Sequence, residues 1–288
     1  MVIFGTISYF VKNVAVSSAE IALWRVVIAT AVILVIKLIR HEKLPFKQAR
    51  GDFFLLCLSG LAIGGDWILF FEAFKYTSVS VTTLSYYFCP VLLMVLSPVI
   101  FKEHINLRQW LYFILATMGL VLIISARTRG SDKELIGIAL GLAAAVCYAF
   151  IIIINKRIKS VSGLDKTVFQ FFAAIVVLGV YVSLSSGFHA AELEPKGLIY
   201  LIILGLVHTA LAYILYFSSI SKLPAQKVAM LGYIDPLVAV IISVVLLQEH
   251  ITLLQLVGGA MIIGFTILNE LGEAKSAKAE IEVEQTPV

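Results

Sequence analysis

Four stretches of this chain, 21–39, 53–71, 107–126 and 251–271, are apolar and long enough to cross a membrane. At a helical rise of ~1.5 Å per residue, each spans most or all of a hydrocarbon core ~30 Å thick. A soluble protein of 288 residues cannot hide so many helices that are apolar all round. Composition agrees. The chain is 60% apolar and 14% charged, where soluble proteins run at roughly 45–50% and 25%. The charges stand in short runs between the apolar stretches. The chain reads as an all-α integral membrane protein.

The pattern predicts ten transmembrane helices, at 1–14, 21–39, 52–74, 78–101, 107–126, 135–154, 167–185, 198–220, 225–247 and 251–271. Short connections make successive helices antiparallel neighbours. The polar segment 272–288, rich in Glu and Lys, is expected to be a disordered cytoplasmic tail. Cys57, Cys89 and Cys147 lie inside apolar stretches without paired spacing, which suits small packing residues rather than a disulfide framework or a zinc site.

An internal repeat organises the spans. Laying 82–109 over 228–255 without gaps aligns nine identities in 28 positions. They are Tyr87/Tyr233, Pro90/Pro236, Ser97/Ser243, Val99/Val245, Glu103/Glu249, His104/His250, Ile105/Ile251, Leu107/Leu253 and Gln109/Gln255. A weaker match sets Lys12, Ser17, Glu20 and Trp24 against Arg157, Ser162, Asp165 and Phe169. The halves are then 1–126 and 135–271, joined by a loop at 127–134. Each holds five helices, an odd number, so the second half enters the membrane inverted. With both termini in the cytoplasm and Arg25 counted as embedded, 15 Lys and Arg fall inside and 6 outside. The positive-inside rule selects that orientation.

Several motifs fall at fixed places in this frame. The first half carries Glu72-Ala73, then Lys75-Tyr76-Thr77-Ser78-Val79, Pro90 and Lys102-Glu103; the second carries Asp235-Pro236 and Gln248-Glu249. With these motifs and a five-plus-five inverted repeat, the chain up to about residue 271 resembles the EamA-type branch of the drug/metabolite transporter superfamily. The resemblance implies a secondary transporter, usually an exporter of amino acids or related metabolites, with a central cavity lined by both halves.

Candidate site residues come from polar groups at membrane depth. Asp66 stands near the middle of helix 3 and His208 near the middle of helix 8, its repeat partner. A carboxylate at that depth costs ~2.5–3.5 kcal/mol on insertion scales, so it faces either a cavity or a partner. Imidazole changes charge near neutral pH, which suits substrate binding or proton coupling; the plainer role for both residues is hydrogen-bonded helix glue. Arg25 either pairs with Glu20 about one turn away or offers its guanidinium to a substrate carboxylate. Asp235 stands before Pro236, in the place of the acidic residue of the family motif. Trp67, Tyr87, Tyr213 and Tyr233 are pocket candidates, although most such aromatics pack or anchor. Pro90 and Pro236 are expected to break helices 4 and 9, next to a wet cavity or as simple packing kinks. Glu103-His104 and Glu249-His250 sit at helix ends. Thr252 with Gln255 forms a capping box there and Asn106 with Gln109 a variant, so those segments read as helix-turn-helix signals.

The primary reading is a transporter for small polar or zwitterionic metabolites, with substrate and lipid bilayer as partners. The proton is a candidate coupling ion, and the protein is a monomer or a homodimer. No Walker motif, H-x-x-x-H or G-x-S-x-G occurs, so neither ATP drive, a metal, a cofactor nor a hydrolase is indicated. The alternatives are a membrane-embedded enzyme, which needs clustered catalytic groups, and a sensor or scaffold, which needs a reader domain. Nothing suggests nucleic-acid binding. The expected location is a bacterial plasma membrane. Helix 1 reads as short at its beginning: Lys12 matches Arg157, whose helix starts near Leu135, so residues 135–145 have no counterparts ahead of Met1.

Overall fold

A computed structural model describes the backbone of residues 2–101, 106–125, 132–220 and 234–284. Glu103, His104 and Tyr233 lie outside the described residues. In chain order the helices are α1 (Val2–Gly5 and Ile7–Lys12), α2 (Ser18–Ile39), α3 (Phe53–Ala73), α4 (Val79–Tyr86 and Cys89–Phe101) and α5 (Leu107–Ser125). They continue with α6 (Asp132–Arg157), α7 (Gly163–Ser185), α8 (Pro195–Gly205, Leu206–Leu211 and Ala212–Ile220), α9 (Ile234–Val245) and α10 (Leu253–Glu284). No strand occurs among the described residues.

Local chemistry sets many of the ends. Ser17 caps α2 by accepting the amide of Glu20 at 3.1 Å, and Ser78 caps α4 by accepting that of Val81 at 3.1 Å. Asn106 with Gln109, and Thr252 with Gln255, exchange side-chain and amide bonds reciprocally at the starts of α5 and α10. Pro90 has no amide to give, and α4 is interrupted by a turn at Tyr87–Phe88 just before it. Pro236 lies in the first described turn of α9. Several boundaries differ from the hydropathy reading: α2, α7 and α8 begin earlier, at Ser18, Gly163 and Pro195, and two further differences have a clear cause. α6 begins at Asp132, inside the stretch taken as loop, because Asp132 and Glu134 favour a helix N-terminus. α10 passes Leu271 and runs to Glu284, through Ala, Glu and Lys of high helix propensity.

Five segments are long and apolar enough to cross a membrane: Ser18–Ile39, Phe46–Ala73, Asp132–Arg157, Gly163–Ser185 and Pro195–Tyr216. Five more are apolar but shorter, namely Val2–Lys12, Val79–Leu93, Leu107–Ile123, Ile234–Val245 and Leu253–Asn269. Large apolar side chains face outward in stripes, such as Leu111, Ile114, Met118 and Val121 on α5 and Val176 and Val180 on α7. Unpartnered faces of this kind suit lipid, not water.

Helix packing follows a repeating scheme. α3 packs on α6 and α7, and α4 on α6; correspondingly α8 packs on α1 and α2, and α9 on α1. Exchanging each helix for the one five places along the chain reproduces these pairings. α2 with α7, α4 with α9 and α5 with α10 map onto themselves. The α5–α10 contact is close because glycine meets glycine. A Cβ on Gly258 would come within 2.4 Å of the Gly119 carbonyl oxygen, and one on Gly119 within 2.6 Å of the Gly258 oxygen. The main core, around Phe171, Val26, Leu178 and Leu204, joins α2, α3, α7 and α8. The polar groups considered next are set into that core.

Candidate functional site

Arg25 on α2 is buried, and its surroundings come from other helices. Its guanidinium lies 4.4 Å from the centroid of the Trp67 ring and 5.0 Å from that of Phe71, both on α3. Its Nε donates to Thr209 Oγ1 on α8 at 3.1 Å. A desolvated cation over an indole face is worth ~2 kcal/mol, which helps hold the side chain in place. The Glu20 pairing weighed from sequence is not what the structure contains. Glu20 Oε1 accepts the Trp24 indole N–H at 3.2 Å and the amides of His189 and Ala190 at 2.8 and 2.7 Å, fastening the α7–α8 loop to α2. Its Oε2 is buried without a hydrogen-bond partner among the described residues.

Asp66, one residue before Trp67, is equally buried. Its Oδ2 accepts the Tyr86 hydroxyl at 3.3 Å, while Oδ1 is buried without a hydrogen-bond partner among the described residues. Asp66 and Arg25 are near enough for their charges to interact. Yet no ion pair within 4.0 Å joins them among the described residues. An acidic and a basic side chain thus share the core without bonding each other, and Asp66 Oδ1 stays open.

His208 and Thr209 stand where α8 widens into a π-helical turn, Leu206–Leu211. That turn aims carbonyls at side chains five residues on: Ile203 O lies 3.3 Å from His208 Nδ1, and Leu204 O accepts the Thr209 hydroxyl at 2.8 Å. Single-turn π bulges are often found at functional positions. His208 Nε2 lies 2.9 Å from Thr6 Oγ1, and the ring packs on Phe10 at 4.7 Å. Thr6 Oγ1 also lies 2.9 Å from Ile3 O. Carbonyls only accept, so Nδ1 must carry a hydrogen to bond Ile203. The single Thr6 hydroxyl hydrogen then serves either Ile3 or a bare Nε2. A ring with two hydrogens satisfies all three contacts and a neutral ring leaves one short.

Aromatic groups surround this set. Tyr86 stacks on Tyr148 of α6 at 5.4 Å, and Trp67 and Tyr213 both pack on Phe171, at 5.9 and 5.6 Å. Tyr148 keeps 39% of its surface accessible. Tyr87 donates to Asp235 Oδ2 at 2.8 Å, joining the interrupted α4 to the start of α9. The structure therefore groups Arg25, Asp66, Trp67 and Tyr213, sets His208 beside Thr209 on the same turn, and places Tyr87 with Asp235. Thr6 and Thr209 are partners that sequence reasoning did not single out. Glu72, outside the group, accepts the Ser18 hydroxyl and the Lys75 ammonium at 2.7 and 2.8 Å.

Comparisons with known proteins bear on the whole chain. The sequence profile described as the EamA-like transporter family matches residues 1–125 and 135–270. An "uncharacterized transporter YxxF" of Bacillus subtilis (strain 168) is 26% identical over 290 residues, covering 99% of this chain and 92% of the relative. An "uncharacterized transporter" of Archaeoglobus fulgidus is 24% identical over 275 residues, covering 93% and 92%. A solved crystal structure superposes with a TM-score of 0.64 at 17% identity, covering 93% of both chains, and speaks to the fold alone.

Proposed function

Because the chain belongs to the EamA-like transporter family, we propose that it is a secondary carrier exporting small polar or zwitterionic metabolites, such as amino acids. It works by alternating access between two inverted five-helix halves. The observation that carries the substrate class is the buried pair Arg25 and Asp66. Arg25 spends one donor on Thr209 and has others to offer a carboxylate; Asp66 Oδ1 is an unfilled acceptor suited to an ammonium. A zwitterion fits both at once. Neutral polar solutes would leave two charges desolvated and unanswered, at a cost of roughly several kcal/mol.

Ten spans in two inverted halves are supported by the exchange pattern of helix packing and by the charge bias of the loops. In this reading both termini are cytoplasmic and the protein sits in a bacterial plasma membrane. His208 is the candidate for a coupling proton, since its surroundings accommodate two ring hydrogens. Purified protein in liposomes, loaded with a mixture of radiolabelled amino acids, tests the function. Counterflow several-fold above protein-free liposomes is expected for at least one amino acid. Counterflow at background for the whole mixture, by protein that remains folded, overturns the substrate class.

A further inference from the structure

Glu249 has a structural role that its position at a helix end did not suggest. It lies in the α9–α10 turn and is half-buried. One oxygen takes the ammonium of Lys12, at the end of α1. The other accepts the amide of Val79, the first residue of α4, at 2.8 Å, and also the hydroxyl of Ser243 on α9. An anion on a helix N-terminus meets both free amides and the positive end of the helix dipole. One carboxylate thus joins two helices of the first half to a turn of the second, all at one face of the molecule. The preceding Gln248 holds φ at +54°, a left-handed conformation that side-chain-bearing residues rarely adopt. The backbone is bent there to bring Glu249 onto its partners.

We propose that Glu249 is the latch that closes the Lys12 face of the carrier, and that passage of substrate to that face requires its bonds to Lys12 and Val79 to be released. This rests on the transport reading above. The chemistry suits a latch better than a permanent brace. An ion pair with Lys12 partly open to water is readily exchanged for hydration, and the Val79 amide, at a helix start, can be hydrated in its place. Apolar packing at the same point could not be replaced by water so cheaply. Alternating access needs contacts between the halves that can part and re-form.

The test uses the full chain with its native cysteines replaced by serine and Tyr148→Cys as a reporter beside Tyr86, whose hydroxyl bonds Asp66. A separate Asn13→Cys variant identifies the side of the membrane that carries Lys12. A membrane-impermeant maleimide is applied to that side. Glu249→Gln keeps the size but drops the charge and offers one acceptor oxygen in place of two, so it cannot hold both Lys12 and Val79; Lys12→Gln breaks the ion pair and leaves the Val79 and Ser243 contacts alone. The expected result is at least fivefold faster labelling of position 148 in Glu249→Gln, and a smaller increase in Lys12→Gln. Labelling unchanged in both variants, with melting temperatures near that of the parent, overturns the latch. If Glu249→Gln fails to fold, Lys12→Gln alone decides by the same criterion. Counterflow of the radiolabelled amino-acid mixture, measured in parallel without the reporter, separates the two ideas. Faster labelling with no transport by the parent keeps the latch and removes the carrier; transport with unchanged labelling does the reverse.

Discussion

Asp66 shows how much one side chain decides. One oxygen is held by Tyr86 and the other is unmatched in a medium where an unmade hydrogen bond costs ~1–3 kcal/mol. Asp66→Asn can keep the Tyr86 bond through its amide oxygen but presents a donor, without charge, where the open acceptor stood. Expression and melting temperature are expected to stay near the parent's, while amino-acid counterflow falls at least tenfold. Normal counterflow would reduce Asp66 to helix glue. His208→Ala should likewise express and lose most transport, since it removes the ring that joins α8 to Thr6 of α1. Asp66, Arg25 and His208 were legible in the sequence because ionisable groups are rare in apolar helices. The threonine partners of Arg25 and His208 were not. Thr209 stands 184 residues from Arg25 and Thr6 stands 202 from His208, and threonines are ordinary in such helices. Only the packing of α1 and α2 on α8 brings them together.

At the scale of elements, the sequence marked some features by chemistry and concealed others. Pro90 announced the interruption of α4, because a missing amide cannot be compensated within the helix. The capping pairs announced the starts of α5 and α10. The π turn of α8 had no such mark: its residues, Leu206–Leu211, include no proline or glycine, and the widening shows only in the bonds they make. The α5–α10 contact was also invisible, since nothing in the sequence pairs Gly119 with Gly258. It has a clear consequence. Gly258→Leu adds a branched side chain where even a Cβ would meet a carbonyl oxygen at 2.4 Å. Backbone cannot step away as a flexible side chain would, so the cost should reach or exceed the ~1–3 kcal/mol typical of overpacking. The melting temperature in detergent should drop by several degrees. Gly264→Leu, on the same helix with open space around it, serves as the control and should change little.

For the whole molecule, the decisive question is whether an even or an odd number of helices crosses the bilayer between matched loops, and the loop charges bear on it. Five segments are long enough without help, but α4 is interrupted and α5 is short by comparison. Between the loop after α2 and the loop after α6 the chain runs through α3, α4, α5 and α6. If all four cross, the two loops share a side; if α4 dips in and returns, they face opposite sides. The charges favour the first case, since Arg40, Lys43, Lys47 and Arg50 in one loop match Lys156, Arg157 and Lys159 in the other. Single cysteines replacing Lys43 and Lys159, both exposed, test this in a background without native cysteines. Neither should react with an impermeant maleimide added to intact cells, and both should react once the membrane is opened. Lys133→Cys and Lys196→Cys, also exposed, stand at the starts of α6 and α8, on the side assigned to the outside, and should react at once. Opposite behaviour of positions 43 and 159 would show an odd number of crossings between them. The two halves could then not be inverted copies, and the exchange pattern in the packing would need another cause. Agreement of all four positions would fix the orientation as well as the parity, because reversing the whole molecule exchanges the reactive pair for the silent one.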